Sequence, residues 1–448
     1  MKTMKQRLMF NVVLVLLILH GFLHAESVST QFVPFKQFFQ ESSGVDSAVY
    51  LSRPGNRVRD VRSFEQMRQH ILLLYQGVEV SHSFMRDSDY FDCVPIEQQP
   101  SVKVLHLKEV AAPPPMASMA AASPSSDGGG QTAKSMTPAA QLGPDDQVDQ
   151  FGNSTKCEEH TIPMRRVTLD ELSRFQTVEE FLEKGPHGAG HVVTSDQAPA
   201  LATPTHKYAY TYQVVNNWGG NSDLSNWNPA VTTSLGEVFS LSQQWYAGGS
   251  GSALQTVEGG WQVFPQKYGT TNAVLFIYWT ATGYQGTGCY NLDCPAFVQT
   301  NSNWSLGSRF VYYSTLGGAQ ASIQLQWRLY GGNWWLYLQG QAVGYYPGSI
   351  YRGGQLTRNA TLIEYGGETV GSTVWPPMGS GHFASAGWQY AAYQRNIFYL
   401  NTSSTTQWAR LTAAQPSPTC YTVAGPSWST TSGWGVYFYF GGPGGTSC

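Results

Sequence analysis

The residues of this chain that could break bonds are few, and they are mostly carboxylates. Beyond residue 200 the sequence holds only six acids in 248 positions: Asp223, Glu237, Glu258, Asp293, Glu364 and Glu368. The same stretch has no Gly-x-Ser-x-Gly turn and no His-Glu-x-x-His pair, and its two histidines are His206 and His382. Serine-nucleophile and zinc-hydrolase chemistry therefore lack their usual parts. Paired carboxylates remain. Glu258 sits in Gln255-Thr256-Val257-Glu258-Gly259-Gly260-Trp261-Gln262-Val263, and Glu368 closes Leu362-Ile363-Glu364-Tyr365-Gly366-Gly367-Glu368. In an extended strand Glu258, Gly260 and Gln262 share one face, and glycine beside a glutamate leaves room for another backbone to approach. Two glutamates on strands of one sheet can share a cleft and a water. They do not both ionise cheaply, so one keeps a proton. The ionised partner can then take a proton from water, while the protonated one polarises a carbonyl or protonates a leaving group. A lone glutamate on a strand is more often structural, so spacing alone makes this a candidate acid dyad.

The elements that must hold this pair read as strands. From residue 207 the pattern is short runs of period-two alternation, rich in β-branched and aromatic residues and separated by Gly, Asn and Ser. Such runs cover 208–215, 238–246, 256–264, 273–279, 309–313, 322–330, 333–339, 362–365 and 435–440, with no capped helix among them. Short strands at this spacing over about 240 residues predict an antiparallel β-sandwich or barrel.

The composition divides the chain near residue 200. Residues 1–200 hold 23 of the 29 acids and 18 of the 26 bases, whereas all 14 Trp and 22 of the 25 Tyr lie in 201–448. The net charge of −3 and the lack of a basic stripe exclude a nucleic-acid binder. The aromatic content excludes a disordered scaffold. A surface of Ser, Thr, Asn, Gln and Tyr suits a chain that works in acid.

Residues 1–25 read as a secretory leader: Lys2, Lys5 and Arg7, then an apolar run over 8–19, then Leu23-His24-Ala25. That run is shorter than the ~20 residues of a membrane span. The mature chain is therefore expected to be exported, extracellular or periplasmic, and off the membrane. Residues 26–200 read as a small α+β pro-domain. Helical patterns begin at Ser63, Thr168 and Thr177, each with Glu or Gln three residues on, and strand-like runs cover 78–84 and 102–107. An Ala/Pro/Ser/Gly-rich insertion spans 111–150, and a polar Gly/Pro/Ala linker over 185–205 is a natural place for proteolysis. Export favours disulfides, and six cysteines allow 15 pairings. If the two units are separable, Cys93 pairs with Cys157. Cys289 and Cys294 flank a four-residue loop, and Cys420 and Cys448 lie near the C-terminus. With no Cys-x-x-Cys and no histidine pair at ligand spacing, no metal is expected.

The motifs as a series resemble the neprosin family of secreted peptidases. They are Thr256-Val257-Glu258-Gly259-Gly260-Trp261-Gln262-Val263-Phe264-Pro265, Tyr278-Trp279-Thr280-Ala281-Thr282-Gly283-Tyr284, Cys289-Tyr290-Asn291-Leu292-Asp293-Cys294, Tyr365-Gly366-Gly367-Glu368 and Met378-Gly379-Ser380-Gly381-His382-Phe383. Asp92-Cys93-Val94 and Cys157 with Thr161-Ile162-Pro163-Met164-Arg165-Arg166 resemble the family's activation peptide. The resemblance implies a β-sandwich glutamic peptidase over 201–448 that cleaves mainly after proline in acid, with Glu258 and Glu368 catalytic and no cofactor. It implies the disulfides Cys289–Cys294 and Cys420–Cys448. Tyr365 stands where the family often has Trp, which bears on specificity.

The expectation is a secreted endopeptidase made as a zymogen, a monomer whose partners are peptide or protein substrates and its own pro-segment as intramolecular inhibitor. Glu258 is taken as the base. Gln262 and Glu364 are dyad neighbours, and Trp261, Tyr278 and Trp279 are candidates to line a slot for a proline ring. His382 reads as a loop hydrogen-bonding residue. Pro199 and Pro204 mark where self-cleavage would release the mature unit. A carbohydrate-binding module and a two-carboxylate glycosidase are the rival readings.

Overall fold

The computed structural model describes residues 31–115, 148–184 and 204–448. The leader over 1–25, most of the 111–150 insertion and the linker with Pro199 fall outside them. Phe35–Cys448 pack as one compact unit.

The N-terminal segment comprises α1 (Phe35–Gly44), α2 (Ser47–Leu51), α3 (Val61–Tyr75), β1 (Ser83–Arg86), β2 (Asp89–Pro95), α4 (Pro100–Val104), β3 (Thr161–Arg165), α5 (Leu169–Leu172) and α6 (Val178–Leu182). Helix α3 buries Phe64, Met67, His70, Ile71, Leu74 and Tyr75, an i, i+3, i+4, i+7 stripe on one face. Its cap is Asp60 rather than Ser63: the Asp60 carboxylate accepts the Ser63 N–H at 2.8 Å. Thr168 forms the reciprocal capping box with Glu171, and Thr177 accepts the Glu180 N–H. The strand expected over 102–107 does not form: 102–104 end α4 and 105–107 are turn and coil, because Pro100 at the first turn presets helical φ ahead of the β-branched residues. Of 78–84, only the last two residues join a strand. Strands β1–β2–β3 form a small antiparallel sheet tied by Cys93–Cys157. Beside that disulfide, buried Arg166 grips Asp92 with two hydrogen bonds at 2.6 and 2.9 Å.

The second part is all-β: β4 (Thr205–Ser225), β5 (Glu237–Gly248), β6 (Gln255–Val263), the one-turn helix α7 (Pro265–Tyr268), β7 (Val274–Thr280), β8 (Cys289–Tyr290), β9 (Val298–Gln299), β10 (Ser322–Tyr330), β11 (Asn333–Leu338), β12 (Gln341–Pro347), β13 (Ala360–Gly371), β14 (Ala392–Asn401), β15 (Thr406–Trp408), β16 (Thr412–Ala414), β17 (Thr422–Ser429) and β18 (Gly435–Gly441). All pairings are antiparallel. One curled sheet runs β8-β7-β6-β5-β13-β4-β10-β11-β12-β9, with β14, β15, β16, β17 and β18 branching off it. The first half of β4 pairs with β13, and its second half pairs with β10 and β14. This long strand carries the chain from one layer of the sandwich to the other. The run 309–313 is not a strand; only Arg309 bridges Val274.

The core lies between the layers. Val257, Trp261, Leu275, Ile277 and Trp279 from one side meet Ile323, Leu325, Trp327, Trp334 and Leu336 from the other. Gly259 permits this approach, since a Cβ there would sit 3.0 Å from Leu325 Cδ1 and 3.3 Å from Trp327 Nε1. Alternation leaves the opposite face of β6, β5 and β13 to be covered by something else, and the N-terminal segment covers it.

Candidate active site

Register builds the site row by row on that second face, because paired residues in an antiparallel ladder point the same way. In the first row Glu258 lies between Tyr278 and Trp245, which in turn pairs with Glu364. In the next, Gly260, Gln243 and Gly366 follow one another. In the third, Gln262, Leu241, Glu368 and Tyr208 stand across four strands. The two glutamates are thus diagonal neighbours, two rows (four residues) apart along the strands with β5 between them. The glycines make the notch they share. A Cβ on Gly260 would lie 1.9 Å from the Ser242 carbonyl, and one on Gly366 2.4 Å from the Ala209 carbonyl. The backbone that approaches is the neighbouring strand itself.

Both carboxylates are buried and held by different chemistry. Glu258 accepts hydrogen bonds from Thr256 Oγ1 at 2.7 Å and Tyr284 Oη at 2.6 Å. Glu368 accepts from Gln243 Nε2 at 3.2 Å, lies 2.5 Å from His206 Nδ1, and also bonds to the Tyr208 hydroxyl. Burial first, and the nearby carboxylates second, push the Tyr208 and Tyr284 phenols far above their ordinary range, so both stay neutral donors.

Lys184, just past the end of α6, occupies the space between the glutamates. Its Nζ lies 2.5 Å from Glu258 Oε2 and 2.9 Å from Glu368 Oε2, with 3% of its side chain exposed. The ammonium also stands 5.1 Å from the Trp245 ring. Burial presses it towards neutrality, but the two glutamates outweigh burial and raise its pKa. The backbone of Lys184 hydrogen-bonds to Tyr278. Three residues upstream the Phe181 carbonyl accepts from Lys267 Nζ at 3.0 Å, and Lys267 pairs with Asp293 at 2.8 Å. His70 Nε2 meets the Asp293 carbonyl at 2.8 Å. The stretch 181–184 therefore lies across the dyad, held at both ends.

Of the residues singled out from sequence, Glu258, Glu368, Gln262, Tyr278 and Glu364 come together on this face. Trp261 and Trp279 do not. Each is one residue out of phase, and Trp261 turns into the sandwich core, where its Nε1 donates to the Ser225 carbonyl at 2.8 Å. Trp245 lines the site in their place. Lys184, His206, Tyr208, Gln243 and Tyr284 were not foreseen. Alternation along 206–212 and the last residue of the quoted Tyr278–Tyr284 motif carried the signal for three of them. The disulfides Cys93–Cys157, Cys289–Cys294 and Cys420–Cys448 are all present. Among the described residues one trio offers metal-type ligands at close range, His82, Cys93 and Glu158, but Cys93 is bonded to Cys157 and has no thiolate to give.

The family profile named Neprosin matches residues 236–443, a span that contains Glu258, the short disulfide loop and Glu368. The chain carries a neprosin domain. Two solved structures are also similar, both of scytalido-glutamic peptidase, one with a peptide-based transition-state analog and one with a transition-state analog inhibitor. Their TM-scores are 0.26 and 0.28 and their identities 10% and 9%; each match covers 53% of this chain and 98% of the other. The neprosin profile begins at residue 236, so Lys184 and His206 both lie outside it while touching the glutamates inside it.

Proposed function

We propose that this chain is the zymogen of a secreted, glutamic-class endopeptidase, with Glu258 and Glu368 as its catalytic pair and 26–200 as its pro-segment. The observation that carries the reading is the single ammonium of Lys184 seated against two buried carboxylates of a neprosin domain. A peptide carbonyl and its attacking water need the space that this ammonium fills. The leader pattern over 1–25 and the three disulfides support export. No helix among the described residues is long and apolar enough to cross a membrane.

The environments of the two glutamates differ in a way that divides the work. Thr256 and Tyr284 present hydroxyls, which can donate to a carboxylate or accept from a carboxylic acid. Glu258 can therefore hold a proton without losing its hydrogen bonds. Beside the Tyr208 hydroxyl, Glu368 has two N–H partners, Gln243 and the imidazole of His206, and neither can accept through that hydrogen. Glu368 is best suited to remain a carboxylate. We therefore assign Glu368, rather than Glu258, as the base that takes a proton from water as it adds to the peptide carbonyl. Glu258 donates a hydrogen bond to the developing oxyanion and then delivers its proton to the leaving amine.

Cleavage after proline in acid follows the neprosin resemblance, with Trp245 and Tyr278 as the aromatic walls for the proline ring. In the zymogen the pro-segment excludes substrate, and acid removes the carboxylate charge that holds Lys184. The linker is then cut, after Pro199 or Pro204, to leave a monomeric mature enzyme acting on peptides and proteins. A mixed peptide library digested at pH 3 and pH 7, with products read by mass spectrometry, tests this reading. Cleavage at pH 3 concentrated after proline is expected; an intact library at both pH values after removal of the pro-segment contradicts it.

A further inference from the structure

We infer that His206 is a positioning residue of the dyad, its Nδ1–H fixing the orientation and charge state of Glu368. The inference rests on the peptidase reading above and extends it to a residue outside the neprosin match.

Three observations carry it. First, Nδ1 lies 2.5 Å from Glu368 Oε1, on the oxygen opposite the one that faces Lys184. When Lys184 leaves, His206 remains. Second, the imidazole is locked. It stacks on Tyr208 with centroids 6.2 Å apart and meets Phe239 edge-on at 6.0 Å, and its side chain is 7% exposed. Third, Nε2 is buried with no hydrogen-bond partner among the described residues. An orphaned buried nitrogen costs about 1–3 kcal/mol, so packing alone would favour phenylalanine in this aromatic slot. Only the Nδ1 contact offsets that cost. The facing carboxylate accepts, so Nδ1 carries the hydrogen; this fixes the tautomer, as a carboxylate partner does for histidines at metal and triad sites.

The groups around the pair act in the same direction. Tyr208 on β4 and Gln243 on β5 donate to Glu368, and Lys184 faces it from the N-terminal segment. His206 itself is faced by Glu368 on β13, Tyr208 on its own strand and the apolar ring of Phe239 on β5. Val370, its register partner, is also apolar. After maturation His206 is the basic group left on Glu368. It favours the carboxylate form, the form a base needs, further into acid. It also constrains maturation. Cuts after Pro199 or Pro204 both leave His206 on the mature chain, and a cut beyond residue 206 removes it.

The test compares the wild type with His206→Phe, which keeps ring and volume, and His206→Asn, which keeps an N–H at the place of Nδ1. In His206→Phe, kcat/KM should fall at least tenfold at the pH optimum. Its acid limb should move towards neutrality by about one pH unit, as expected for a carboxylate that loses an N–H donor to its charged form. His206→Asn should recover most of the rate at the optimum and most of the position of the acid limb. An unchanged acid limb with a rate within twofold of wild type in His206→Phe overturns the inference, and so does His206→Asn behaving like His206→Phe. A second readout is independent of turnover. In the full chain the His206 Nδ1 proton should give a strongly downfield NMR signal that Glu368→Gln removes. If that signal is present and the protein cleaves no peptide, the peptidase reading has failed and the pairing has not. If the signal is absent from an active enzyme, the pairing has failed alone.

Discussion

Lys184→Met is the perturbation with the largest consequence. Methionine keeps the length and the apolar stem beside Trp245 but removes the ammonium that lies 2.5 and 2.9 Å from the two glutamates. Losing one member of a buried ion pair costs about 3–5 kcal/mol, because the charge left behind has no partner. Here two carboxylates are left. One of them must take up a proton for the segment to stay docked, so part of the cost is recovered in acid. At 1.4 kcal/mol per factor of ten, the fraction of zymogen with an open cleft at neutral pH should rise on the order of 100-fold to 1,000-fold. The wild-type ammonium has a raised pKa, so its contribution disappears only as pH climbs beyond the ordinary lysine range. At this contact, acid release of the wild type must therefore come from the carboxylates and not from Lys184. The assay is hydrolysis of a quenched fluorescent peptide by uncut zymogen, with gels confirming that the chain is intact. Uncut K184M should be active at pH 6–7, where the wild type is latent, and the two should converge near pH 3. An uncut K184M as latent as the wild type at neutral pH would refute the role of Lys184 as the plug.

Three further outcomes follow from the same structure. His70 is buried against the Asp293 carbonyl, with Lys267 and Glu179 nearby, and burial lowers its pKa. Docking of the pro-segment should weaken as pH falls below the ordinary imidazole range near 6.5, and His70→Gln should flatten this part of the activation profile measured by maturation rate. Burial raises Asp223 to about 6, against the opposing pull of Arg395. A carboxylate raised in the folded state is relieved by protonation, so stability should decline as pH rises from about 4 to 6, by roughly 2 kcal/mol after allowance for partial exposure; denaturant unfolding of wild type and Asp223→Asn, with NMR titration of the carboxyl, checks this. Gly260→Ala puts a methyl on the Ser242 carbonyl; the strands must part, and a loss of several kcal/mol in thermal stability is expected, whereas wild-type stability would show that the sheet can yield there.

Much of this was legible in sequence because period-two alternation is a strong signal. Strands β5, β6, β7, β10 and β11 fall within two residues of their expected bounds, and the glycine pairs beside each glutamate marked the dyad. The aromatic candidates illustrate the limit. Trp261 and Trp279 lie in the quoted motifs, but a face is decided by parity, and both have the parity of the core. Counting from Glu258 would have excluded Trp261. The lock on the dyad was illegible for a different reason. Lys184 sits 74 residues from Glu258 in sequence and 184 from Glu368, and nothing local in Leu182-Glu183-Lys184-Gly185 announces a partner. His206 needed the register of β4 on β13, which only the folded sheet supplies.

The central claim is that Glu258 and Glu368 together perform the hydrolysis. The most direct measurement is kcat/KM of the mature enzyme on one proline-containing peptide at acidic pH, for the wild type, Glu258→Gln and Glu368→Gln, with circular dichroism confirming that each is folded. Glutamine keeps the shape of each side chain but can neither take up nor deliver the proton. The account predicts that each substitution alone reduces kcat/KM by at least a thousandfold, and that the double variant is no worse than either single one, because the two act as a unit. A folded Glu258→Gln or Glu368→Gln enzyme with near-wild-type activity would contradict it.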